Sequence, residues 1–223
     1  MKYLVFFLCI ISLSLQAQRA RDDIRGAAAT ASRGVAGNRQ MPPDSLKWKL
    51  GGDVSLNFSQ VSFSNWAGGG DNSMSVSTST NLFANYKKDK IIWENYSFMT
   101  YGTIKTGKKQ PIKNTDQIVA GSKIGLQQSK NWYYTAAVLG RTQFSPGFIN
   151  DNKDRVSDFL APLNVFVSLG MDYKPSSSLS VNLSPAMGKA TYVRSTNPRI
   201  LAAGGIPEDR RDKGKDTYYE FGG

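Results

Sequence analysis

From Leu46 onward, apolar and polar residues alternate with a period of two, which leaves the chain few ways to fold. Trp48, Leu50, Val54, Leu56 and Phe58 are interleaved with Lys49, Asp53, Ser55 and Asn57. Similar runs follow at Met74–Tyr86, Tyr96–Ile104, Ile118–Leu126, Trp132–Phe144, Leu163–Tyr173 and Leu179–Met187. Successive side chains of a strand point to opposite faces, so each run predicts a strand with one apolar and one polar face. In the third run the apolar face is read from Tyr96, Phe98 and Ile104, with Asn95, Ser97 and Tyr101 opposite. In the last, Met187 is read on the face of Leu179, Val181 and Leu183. No stretch of the exported chain shows a convincing helical period.

The connections alternate in length. Lys87–Lys90, Ser129–Asn131 and Pro175–Ser178 are short and polar, whereas Val61–Ser73, Lys105–Asp116, Ser145–Asp158 and Arg194–Asp216 are long. Along an antiparallel meander this gathers the tight turns at one end and the long loops at the other, as in outer-membrane barrels. The strands run about ten residues or more, enough to cross a bilayer when tilted and beyond the usual soluble length of about five or six. Trp48, Tyr86, Trp93, Trp132, Tyr133, Tyr134 and Tyr173 lie towards the tight-turn end, and Phe63, Trp66, Tyr101 and Phe144 towards the other, like two interfacial girdles. The predicted class is all-β: an antiparallel up-and-down transmembrane β-barrel of at least eight strands. The eighth, in "DTYYEFGG", is expected to continue beyond Gly223, which makes the count a lower bound. A soluble barrel or sandwich stays open, because alternation alone does not separate lipid from core.

Residues 1–17 read as a signal peptide, with Lys2 before an apolar stretch too short to span a bilayer as a helix and Ala17 at the cleavage point. Residues 18–45 read as a flexible periplasmic leader of mixed charge, Ala, Gly, Ser and Pro, and residues 46–223 as the barrel domain. The single cysteine, Cys9, leaves with the signal peptide, and the chain has no histidine. Disulfides, Cys/His metal sites, thiol nucleophiles and imidazole relays are therefore excluded from the exported chain. No cofactor and no enzymatic activity are expected. The formal charge is +11 with pI near 9.7, which for an exported chain favours anionic lipid or polysaccharide over nucleic acid.

"FSNWAGGGDNSMS" resembles a ligand-binding glycine loop. No Gly-Lys-Ser/Thr follows it, no helix follows it, and it is not repeated, so nucleotide and calcium motifs fail. Trp66, Gly68, Gly69, Gly70 and Asp71 are read as a structural turn in the first long loop, with a ligand or ion contact as the alternative. Lys123, Arg141 and Gln143 fall on the polar face, where Asp53 and Asp172 oppose them. In a small barrel such a lumen cluster acts as a plug of ion pairs, and in an open one it tunes selectivity. Lys105, Lys108, Lys109 and Lys113, and Arg210, Arg211, Lys213 and Lys215, are placed on long outer loops, either solvated or touching anionic glycolipid.

Ordered blocks carry a resemblance: "WKLGGDVSLNFSQVSFSNWAGGGDNSMS", "NLFANYKKDKIIWENYSFMTYGTIKTG", "SKIGLQQSKNWYYTAAVLGRTQFSPGF", "SDFLAPLNVFVSLGMDYKP" and "LSVNLSPAMGKATYV". From Leu46 to about Val193 the chain resembles an uncharacterised family of Gram-negative outer-membrane proteins, domain of unknown function 3078. The resemblance implies an outer-membrane β-barrel, continued past Gly223, and no reaction or substrate. The function expected is therefore a non-catalytic barrel of structural or surface-interaction type in the cell outer membrane. Its partners would be outer-membrane lipids and the barrel-assembly machinery, with anionic glycolipid and other envelope proteins as further contacts and no nucleic acid. A small passive pore or ligand transporter is the alternative, and a soluble lipocalin-like ligand-binding barrel the second.

Overall fold

Long two-faced strands need partners along their whole length, and the chain supplies them in sequence order. The computed structural model describes residues 46–63, 70–149, 154–176, 179–211 and 216–222. The signal-peptide and leader readings lie outside them. Strands β1 (Trp48–Val61), β2 (Ser73–Lys88), β3 (Ile91–Thr106), β4 (Ile112–Gln127) and β5 (Trp132–Thr142) form a continuous antiparallel meander. A small hairpin, β6 (Gly147–Ile149) and β7 (Asp154–Ser157), interrupts it, and β8 (Leu163–Tyr173), β9 (Val181–Tyr192) and β10 (Thr217–Gly222) complete it. The result is an eight-stranded sheet in the order β1-β2-β3-β4-β5-β8-β9-β10, so the protein is all-β and antiparallel as expected. β1 pairs only with β2 and β10 only with β9 among the described strands, and the sheet does not close.

The tight turns have local causes. Lys88 pairs with Ile91 across a two-residue turn whose Asp89 has φ of 50°, a conformation Asp tolerates and such hairpins demand. The long-loop end departs from expectation. β3 and β4 run further than the alternation suggested, so Lys105 and Lys113 are strand residues and only 107–111 connects them. Two short helices, α1 (Pro198–Ala203) and α2 (Glu208–Arg211), occupy the last long loop, where no helix was expected. α1 begins at an Asn197 cap followed by Pro198, and it folds because Ile200 and Leu201 bury against Ala161, Val193 and Ile206. A few residues of local capping and contact are too little to register as a period.

Two bulges adjust which side chains share a face. Between Gly102 and Thr103 of β3 the partner skips from Thr115 to Lys113, leaving Asn114 extra. Residues three apart in a strand normally oppose one another, but this insertion puts Lys113 and Asp116 together, 2.9 Å apart. Between Leu169 and Met171 of β8 the partner skips from Ala186 to Leu183, around Pro185, which lacks the N–H for the ladder. Met187 is consequently on the face opposite Leu183, which corrects the reading of that strand.

The two faces differ sharply. One carries Leu50, Val54, Leu56, Phe58, Val138, Val167 and Leu169, exposed, with Leu56 at 75% and Leu169 at 61%. The other carries Glu94, Val119, Thr135, Leu139, Phe166, Asp172 and Thr191, buried. No second layer covers this face among the described residues; it reaches such burial by curling, so that Val119, Leu139 and Phe166 pack with Tyr96, Phe98 and Met187. Tyr96 and Phe98 therefore belong to the buried face, and in β3 the face assignment is the reverse of the one expected.

Candidate functional site at the tight-turn end of the polar face

Glu94 of β3 and Lys123 of β4 are directly paired across the ladder. Asp172 lies near the end of β8, two strands from Lys123, and Lys174 follows it. The curl brings all four together. Lys123 Nζ lies 2.7 Å from Asp172 Oδ2 and 3.3 Å from Glu94 Oε2. Lys174 Nζ lies 3.6 and 3.7 Å from the same two oxygens and 5.4 Å from the centre of the Tyr133 ring. Asn182 donates its amide to Asp172 Oδ1 at 2.5 Å, and Ser184 donates its hydroxyl to Asn182 at 2.7 Å. The Asp172 and Glu94 side chains are 1% and 5% exposed, so the charges are desolvated and their pairing is obligatory.

Of the expected lumen cluster, the structure brings together Lys123 and Asp172 and leaves three members elsewhere. Asp53 is on exposed β1 and accepts from Asn81 Nδ2 at 2.9 Å. Arg141 faces Gln117, whose amide oxygen, turned towards it, accepts from Nε at 2.7 Å. Gln143 ties a loop, donating to the carbonyls of Asp158 at 2.9 Å and Ala161 at 3.1 Å. Glu94, Lys174 and Asn182 were missed. Glu94 was legible as the partner of Lys123 only with the faces of β3 correctly assigned.

Of the turn motif, Trp66, Gly68 and Gly69 lie outside the described residues. Gly70 has φ of 145°, and a Cβ there would stand 3.0 Å from the Phe63 ring, so glycine is required. Asn72 closes the turn: its side chain accepts from Phe63 N at 2.7 Å and its carbonyl from Gly107 N at 2.7 Å. Asp71 rests beside Gly107.

The long-loop end is built on Asp116, which accepts from Phe144 N at 2.7 Å and from Ser145 N, Ser145 Oγ and Lys113 Nζ at 2.9 Å each. Arg155 pairs with Asp158 and holds its carboxyl below the ordinary carboxylate range, and Arg199 pairs with Asp154. Of the basic-loop residues, Arg210 stacks over Tyr218 and Lys213 and Lys215 lie outside the described residues.

On the apolar face Trp48 packs on Tyr86 and Trp93 at ring distances of 5.0 and 5.6 Å, and Trp132 on Tyr173 at 4.7 Å, all at the tight-turn end. Tyr133 leaves that row for the charge cluster. A trough of about 700 Å³ runs between Trp93 and Phe221 over Ala136, Ala186 and Gly188. Among the described residues no helix is long and apolar enough to cross a membrane, which says nothing of strands, and no acidic group gathers to hold a metal ion.

The turn motif and the paired strands that carry Glu94 and Lys123 lie in one stretch of sequence that a family model recognises. Residues 58–148 match the family described as a protein of unknown function (DUF3078). The resemblance read from the sequence is borne out over that span. The DUF3078 match runs from the end of β1 into β6 and takes in Glu94 and Lys123, whereas Asp172 and Lys174 lie beyond it. No curated protein and no solved structure matches the chain.

Proposed function

We propose that this DUF3078 chain is an outer-membrane β-barrel protein of non-catalytic, structural or surface-interaction type. The carrying observation is the exposed apolar face: strands of up to 16 residues present rows of Leu, Val, Ile and Phe that no other described residues cover. In water that surface is an aggregation hazard, whereas in a bilayer it faces a matching solvent. Aromatic pairs at the tight-turn end of the same face fit a membrane interface. The edges of β1 and β10 would need pairing in lipid, which requires a closed sheet.

A soluble lipocalin-like barrel would turn its apolar face inward to a ligand. Here the buried face bears the charged cluster of Glu94, Lys123 and Asp172, which counts against that reading. The pore reading is disfavoured by the packed Tyr96, Phe98, Val119, Leu139, Phe166 and Met187 beside a charge-balanced cluster. Lipids and the barrel-assembly machinery are the partners this reading needs, with anionic glycolipid and other envelope proteins as contacts for the long-loop end.

The test is membrane extraction followed by unheated and heated electrophoresis. A barrel stays in the membrane after carbonate washing, comes out in detergent and migrates differently when boiled. Release by carbonate, with a single mobility, would overturn the proposal. In planar bilayers the purified protein should give no conductance steps; regular steps would restore the passive-pore alternative.

A further inference from the structure

The two ammonium groups of the charge cluster are held unequally. Lys123 makes close contacts to both carboxylates, at 2.7 and 3.3 Å. Lys174 touches the same oxygens only at 3.6 and 3.7 Å, outside hydrogen-bond range, so attraction between charges and the Tyr133 ring face hold it there. It is also the first residue after β8, at the start of a turn, with its side chain 23% exposed. With Lys123 fixed, Glu94 and Asp172 leave one negative charge to be matched. Two buried carboxylate oxygens and an aromatic face are the surroundings that recognise an ammonium ion.

We propose that Glu94, Asp172 and Tyr133 form an ammonium-binding site at the tight-turn end, which the chain's own Lys174 occupies at rest. The ligand class is a primary amine on a slender aliphatic chain. It enters as Lys174 swings out to solvent, and it replaces one monovalent cation by another with no change in net charge. Lys174 thus acts as a tethered competitor, which keeps the affinity of the wild-type site for free amines low. A quaternary ammonium lacks the N–H groups for the carboxylates and is a poor ligand. The site itself follows from the cluster geometry; the barrel reading supplies only the side from which a ligand arrives.

Chemical rescue tests it. In the full chain in detergent micelles, Lys174→Ala should lower the unfolding temperature, followed by intrinsic fluorescence, by roughly 2–4 °C. Methylammonium chloride should restore it saturably. Sodium chloride and tetramethylammonium chloride at equal concentration should not, and Lys174→Ala combined with Asp172→Asn should not respond. Equal recovery with sodium chloride, or no recovery with methylammonium, overturns the site. Lys174→Gln, which removes the charge and leaves a polar side chain in place, carries the same test should the alanine variant fail to assemble. Failure of both variants to assemble even in methylammonium overturns it too. A flat rescue in a chain that keeps heat-modifiable mobility sinks the site alone; loss of that mobility in the wild type sinks the barrel reading alone.

Discussion

Lys123 bonds to one carboxylate two strands away and touches another on the adjacent strand, so it stabilises the curl as well as the charges. Removing it leaves two buried carboxylates with only the loosely held Lys174 between them. Breaking a buried ion pair from one side costs about 3–5 kcal/mol. Lys123→Met should lose about that much in urea denaturation, and adding Glu94→Gln and Asp172→Asn should recover most of it, because the uncompensated charges go too. Additive losses would mean that the three residues act independently. Asp116 is the counterpart at the other end. Its carboxylate receives two backbone N–H groups, a hydroxyl and an ammonium, with its side chain 2% exposed. Asp116→Ala strands these donors at about 1–3 kcal/mol for each one left unsatisfied. The 143–162 segment should then be cut by trypsin at Arg155 far faster than in the wild type; an unchanged cleavage rate would deny Asp116 that role. Lys123 and Asp172 were visible in the sequence as opposite charges on polar faces. Asp53, Arg141 and Gln143 looked equivalent there, because the alternation carries no measure of how high each residue stands in the assembled sheet.

Strands and their tight turns were legible because both signals are local: a period of two, and an Asp89 that accepts positive φ. Face assignment failed in β3 because Tyr96 and Phe98 are apolar residues on the buried face, packed with Val119 and Phe166, while Asn95 and Ser97 sit among the outward positions. A curled sheet buries both kinds of side chain inside, so polarity alone does not mark its inner face. The bulges were hidden too, since an extra residue leaves composition unchanged and only shifts parity. β8 and β9 depend on one of them. A Cβ at Gly170 would collide with the Leu183 carbonyl oxygen and stand 2.8 Å from Ser184 Cα, both backbone atoms that cannot step aside. Gly170→Ala should therefore force the ladder to shift and lower the yield of assembled protein, measured as the heat-modifiable fraction on gels. Normal assembly would show that the β8–β9 register is more tolerant than this contact allows.

At the scale of the whole molecule, the question is which solvent meets each face. Leu56 and Ser55 are neighbours on β1 with side chains on opposite faces, and both are exposed. In a soluble sheet a cysteine at either place would react alike with a small water-soluble maleimide. In a barrel that crosses the membrane, Leu56→Cys faces hydrocarbon and Ser55→Cys faces the polar interior. The background is favourable, since Cys9 is the chain's single cysteine and Cys9→Ser removes it. Labelling in intact outer-membrane vesicles should then alternate along β1: slow with the water-soluble reagent and fast with a lipid-partitioning one at Val54, Leu56 and Phe58, and the reverse at Ser55 and Asn57. The same alternation should hold on β8, with Val167 and Leu169 against Ser168. β1 is the sharper test, because its two faces have the least covering of any strand in the sheet and the difference in reactivity comes from solvent and not from packing. Alternation on β8 without alternation on β1 would mean that β1 lies outside the bilayer and that the sheet does not close through it. Equal labelling on both strands would remove the membrane from the account of this face altogether.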